Sequence, residues 1–91
     1  MVSRLFSYID ENRSRMLEDL FAFLRIPSIS AQSEHQPDIE AAAEFLCAEL
    51  RSLGLHVEKI TSEGNPLVYA CTEIDPSKPT ILIYGHYDVQ P

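Results

Sequence analysis

At Gly54 the spacing of the apolar residues changes, and no other feature limits the fold as much. Before it, Ile39, Ala42, Ala43, Leu46, Leu50 and Leu53 recur at steps of three and four, tracing one face of a helix. After it, Leu55 to Ile60 alternates: Leu55, Val57 and Lys59 fall on one side, and His56, Glu58 and Ile60 on the other. Gly54 suits the first position beyond a helix, where a positive φ costs glycine nothing. A chain that is helical up to one residue and strand-forming beyond it folds as α/β, its helices packed on a sheet.

The remaining elements extend this pattern. Val2, Leu5, Phe6, Ile9, Met16, Leu17, Leu20, Phe21 and Leu24 lie at helical spacing. The stripe is broken for a turn at Asn12 and Arg13, so the segment is one long helix or two stacked ones. Leu17, Leu20, Phe21 and Leu24 are expected to be its better buried half. Pro27 stops it by removing a donor and restricting Ile26. Pro37 opens the next helix, with Asp38 and Glu40 at its positive end. The polar stretch Ala31 to Gln36 is the one part whose composition is compatible with disorder. Leu67–Cys71 is a second strand candidate. Thr80-Ile81-Leu82-Ile83-Tyr84, flanked by Pro79 and Gly85, is the most apolar run and reads as a central strand covered on both faces. The expectation is two or three helices followed by three strands.

Composition narrows the function classes. Fourteen acidic residues against seven basic ones give a formal charge of −7. No two basic residues are adjacent, which argues against a nucleic-acid footprint. No window approaches the roughly 18 apolar residues of a membrane span, and no secretory leader pattern is seen. Cys47 and Cys71 lack metal-ligand spacing and read as free, largely buried thiols, suited to a reducing compartment such as the cytoplasm. A chain of 91 residues buries only about 60–65% of its unfolded surface, too little for a deep enzyme cleft of its own.

The segment that can carry chemistry is Gly85-His86-Tyr87-Asp88-Val89-Gln90-Pro91, directly after the apolar run. Ligands of α/β sheets gather beyond the carboxyl ends of strands. In extended backbone His86 and Asp88 point to the same side. A carboxylate there fixes the imidazole tautomer and leaves the other ring nitrogen for a metal. On chemistry alone the pair is equally a hydrogen-bonded surface pair or a cap on a buried strand. One histidine is not a zinc site, which takes three protein ligands and a water when catalytic. His35 and His56 read as ordinary exposed or capping residues. Ser28 and Ser30 lack a Gly-x-Ser-x-Gly elbow, and no glycine-rich phosphate loop follows a strand.

Thr80 to Pro91, with its Gly-His-Tyr-Asp-Val-Gln-Pro run, resembles the first metal-binding motif of the dizinc exopeptidases. That family includes aminoacylase, the carnosine-type dipeptidases, acetylornithine deacetylase and succinyl-diaminopimelate desuccinylase, and the dipeptidase branch is the most similar. Leu24-Arg25-Ile26-Pro27-Ser28-Ile29-Ser30 resembles the family's early helix-to-loop turn. The helix through Phe45, Leu46 and Leu50, with Leu53-Gly54-Leu55 after it, resembles its second helix and exit. The likeness thus spans nearly the whole sequence.

The resemblance implies that residues 1–91 are the N-terminal part of a three-layer α/β/α metallopeptidase catalytic domain. It makes His86 a ligand of one of two zinc ions and Asp88 the catalytic partner that orients the His86 ring. Pro91 shapes the turn beyond the motif. It implies metal-assisted hydrolysis of the amide bond of a short peptide or N-acyl amino acid by a homodimeric full-length protein. The bridging aspartate, the glutamate base and the other ligands match nothing in this chain, so the isolated 91 residues are expected to be inactive. The competing expectation is a non-catalytic interaction module, or a self-associating α/β segment, with its apolar final strand covered by another chain.

Overall fold

A computed structural model describes all 91 residues, Met1–Pro91. It consists of helix α1 (Val2–Leu24), a 3-10 turn (Ser33–His35), helix α2 (Gln36–Ser52) and strands β1 (His56–Ile60) and β2 (Leu67–Cys71). The 3-10 turn gives regular structure to the polar stretch that composition alone left open to disorder.

The change of period at Gly54 is built as a glycine-capped helix end. Gly54 has φ +81°. Its N–H donates to the Arg51 carbonyl at 2.9 Å, and the Leu55 N–H donates to that of Leu50 at 3.3 Å. These two bonds satisfy carbonyls that the end of α2 would otherwise leave unpaired. At the other end Pro37 lies in the first turn of α2 with Asp38, whose carboxylate sits 2.8 Å from Nδ1 of His35.

β1 and β2 pair antiparallel, with Val57 opposite Ala70 and Lys59 opposite Val68. These four face α2; Ile60, Leu67 and Tyr69 lie on the open side. Beneath the sheet, α2 presents Ile39, Ala42, Ala43 and Cys47, all essentially buried. The two alanines let helix and strands approach closely, as their small side chains imply. At the rim, Nζ of Lys59 lies 3.1 Å from Glu40 Oε2 and 2.7 Å from Glu44 Oε1. These contacts, above all the hydrogen bond to Glu44, raise the pKa of the Lys59 ammonium, and Lys59 in turn lowers that of the Glu44 carboxyl. Cys47 and Cys71 are free thiols, the first buried and the second half-buried.

Two expectations are corrected. α1 is one continuous helix, but none of its residues is buried. Leu17, Leu20, Phe21 and Leu24 are 43–52% exposed, because no element of this chain runs along their face. Its junction with the rest is local: the Phe23 and Phe45 rings meet with centroids 5.5 Å apart. The second correction is Thr80–Tyr84, which is not a strand. A strand is defined by its ladder partners, and the only sheet here is the β1–β2 pair. Ile81, Leu82, Ile83 and Tyr84 are 82–89% exposed instead of covered on both faces. No helix is long and apolar enough to cross a membrane.

Candidate metal-ligand corner

The segment after Thr80–Tyr84 is held in place by two loops. Pro27 ends α1 and turns the chain into Ser28-Ile29-Ser30, which meets Tyr87-Asp88-Val89. The Val89 N–H donates to the Ser28 carbonyl at 2.9 Å, and the Ser28 hydroxyl donates to the Tyr87 carbonyl at 2.9 Å. Ser28 is only 1% exposed, so water does not compete for these bonds. On the other side the Tyr87 hydroxyl donates to the Pro66 carbonyl at 2.6 Å, reaching the loop between β1 and β2. Burial, with a smaller contribution from the nearby Glu40 charge, raises the pKa of the Tyr87 hydroxyl.

Asp88 lies between the two anchored residues, Tyr87 and Val89. Its Oδ2 accepts a hydrogen bond from the Ser30 hydroxyl, and its Oδ1 lies 2.6 Å from Nδ1 of His86. The Ser30 hydrogen bond, then that of His86, hold the Asp88 carboxyl below the usual aspartate range. An ionised carboxylate accepts only, so the proton of this contact belongs to His86 Nδ1. In the neutral ring Nε2 then carries a lone pair, and the imidazole is 78% exposed. One metal bond is what this arrangement can make. His86 and Asp88 line an open cleft of about 610 Å³ with Ser30, Leu46, Leu50 and Ile83. A second concavity of about 400 Å³, beside Ile74 and Lys78, lies away from the motif.

The structure therefore brings His86 and Asp88 together, as their spacing predicts. His35 pairs with Asp38 at the start of α2, and His56 is exposed on β1. No three His, Cys, Asp or Glu side chains converge in this chain. Sequence reasoning missed Ser28 and Ser30, which it weighed only as nucleophiles. No local signal in the Ile-Pro-Ser-Ile-Ser turn marks these partners, because their bonds reach 59 and 58 positions along the chain.

No protein-family model matches the chain. The chain is nonetheless homologous, along nearly all of its length, to a segment of known dipeptidases, in keeping with the resemblance of the Gly-His-Tyr-Asp-Val-Gln-Pro run. It is 33% identical to the Cys-Gly metallodipeptidase DUG1 of Candida albicans over 96% of this chain and 21% of that protein. It is 31% identical to the Beta-Ala-His dipeptidase of Mus musculus over 100% of this chain and 21% of that protein. Among solved structures, the di-peptidase Dug1p of Saccharomyces cerevisiae matches the whole chain with a TM-score of 0.91 and 26% identity, over 22% of its own length. The two helices and the antiparallel pair are thus a segment of a larger α/β fold. The chain spans about a fifth of the length of these relatives.

Proposed function

We propose that this chain is the N-terminal part of the catalytic domain of a zinc-dependent dipeptidase that hydrolyses short peptides or N-acyl amino acids. His86 is one zinc ligand and Asp88 the carboxylate that orients it. The observation that carries this reading is the 2.6 Å contact between Asp88 Oδ1 and His86 Nδ1, with Nε2 left for a metal. The names of the homologues, a Cys-Gly metallodipeptidase and a Beta-Ala-His dipeptidase, support the reaction class. When bound, zinc lowers the pKa of a water and polarises the scissile carbonyl. The work of this chain is to hold one imidazole, in one tautomer, at the edge of an open cleft. Two zinc ions and a homodimer for the whole protein rest on the sequence resemblance, and a cytoplasmic location on the free thiols.

The test is the intact protein assayed on dipeptides. Chelation should abolish hydrolysis and zinc restore it, and Asp88→Asn should lose about 10–100-fold in metal affinity or activity. His86→Ala with undiminished metal content and turnover would overturn the assignment. One observation favours a second reading for the isolated 91 residues. The exposed Ile81–Tyr84 run offers an unpaired backbone edge to another copy, and a monomer at high concentration in size exclusion would dismiss self-association.

A further inference from the structure

The contacts of Asp88 divide between its two oxygens. Oδ1 faces His86 Nδ1 at 2.6 Å, and Oδ2 accepts from Ser30, 58 positions earlier in the chain. The backbone on either side of Asp88 is fixed independently, through the bonds of Ser28 to Tyr87 and Val89. What the backbone leaves free is rotation of the Asp88 carboxylate about its own side-chain bonds. Terminal carboxylate torsions are broad and roughly two-fold, so a carboxylate with one partner has little to keep it in a single plane. A second hydrogen bond to the other oxygen removes that freedom.

We propose that Ser30 is a positioning residue: by engaging Oδ2 of Asp88 it fixes the carboxylate so that Oδ1 keeps the His86 proton on Nδ1 and leaves Nε2 bare. The role of this tautomer in binding metal rests on the proposed function above, whereas the hold of Ser30 on the tautomer does not. Ser30 is exposed, so removing its hydroxyl opens no cavity and leaves the Ser28 bonds intact. That separates it from a residue that acts by packing.

The test uses the intact protein, stripped of metal, with isotopically labelled histidine. Long-range nitrogen–proton spectra are recorded where imidazole is neutral, and the His86 signals are assigned by difference against His86→Gln. Wild type and Ser30→Thr should show His86 protonated at Nδ1. Ser30→Ala should lower the ratio of the Nδ1–H to the Nε2–H form about five-fold, a part of what one hydrogen bond to a charged group contributes. An unchanged ratio in Ser30→Ala overturns the proposal. So does a Ser30→Thr protein that behaves like Ser30→Ala, because the hydroxyl would then not be the cause. Zinc affinity, measured by competition with a chelator, forms the second arm and should fall with the ratio in Ser30→Ala and recover in Ser30→Thr. If the tautomer responds to Ser30 and zinc affinity does not, the positioning role stands and His86 loses its place as a ligand.

Discussion

Ser28→Ala is the most direct test of how the motif is held. Ser28 makes two bonds to the motif: its hydroxyl donates to the Tyr87 carbonyl and its own carbonyl accepts from Val89 N–H, each at 2.9 Å. Alanine removes the first and keeps the second. The side chain shrinks by one oxygen, so the cost is the lost hydrogen bond and a Tyr87 carbonyl short of its donor. A neutral hydrogen bond contributes about 0.5–1.5 kcal/mol net, and a fully buried orphan costs about 1–3 kcal/mol. Tyr87 is half-buried, so water restores part of the loss, and about 1–1.5 kcal/mol is expected. That corresponds to roughly five- to twelve-fold in the equilibrium for opening the tether. Native-state hydrogen exchange at the Val89 amide reads that opening, with the Cys47 amide inside α2 as the reference. Val89 should lose protection by that factor and Cys47 by much less. Equal losses at both sites would make Ser28 an ordinary core contact, and no loss at Val89 would refute the tether.

Two further outcomes follow from the packing of α2. Ala43→Leu, at a fully buried position facing the sheet, should destabilise by about 1–3 kcal/mol through overpacking. Ala41→Leu on the exposed side of the same helix should stay within about 0.5 kcal/mol, both read by urea unfolding. The Lys59–Glu44 pair should shape the pH dependence of stability. The Glu44 carboxyl is lowered, so its contribution is present above the ordinary glutamate value of about 4.3 and is lost as pH falls through the depressed folded value. The Lys59 ammonium is raised, so its contribution is present below the ordinary lysine value of about 10.4 and is lost only as pH rises through the higher folded value. Lys59→Gln should therefore flatten the acid limb of a plot of thermal midpoint against pH, and a parallel limb would contradict the pairing.

What was legible in the sequence was whatever local chemistry decides. The bounds of α2 followed from Pro37 and Gly54, and β2 was found at Leu67–Cys71 because its ends are marked by Pro66 and a polar turn. The alternation of Val57 and Lys59 against His56 and Glu58 separated the two sides of β1, but only the packing on α2 shows that Val57 and Lys59 are the inner ones. Thr80–Tyr84 misled because apolarity shows that a segment prefers burial, not that a partner is present to bury it. The same reason undid the expected burial of Leu17 and Leu20. For the site, a spacing of two residues was enough to pair His86 with Asp88. Ser28 and Ser30 were illegible as partners because their bonds span 59 and 58 positions, and nothing local records such a distance.

Those spans also place the 3-10 turn, α2, β1 and β2 inside a single loop whose two ends meet at Ser28–Ser30 and Tyr87–Val89. Closing a loop of that length costs entropy unless the enclosed chain is already compact. The tie of Asp88 to Ser30 is therefore expected to form together with the packing of the helix on the hairpin, which parallel refolding rates of the two would check. A spectroscopic signal from the His86 imidazole would then report on the assembly of everything threaded between the two ends.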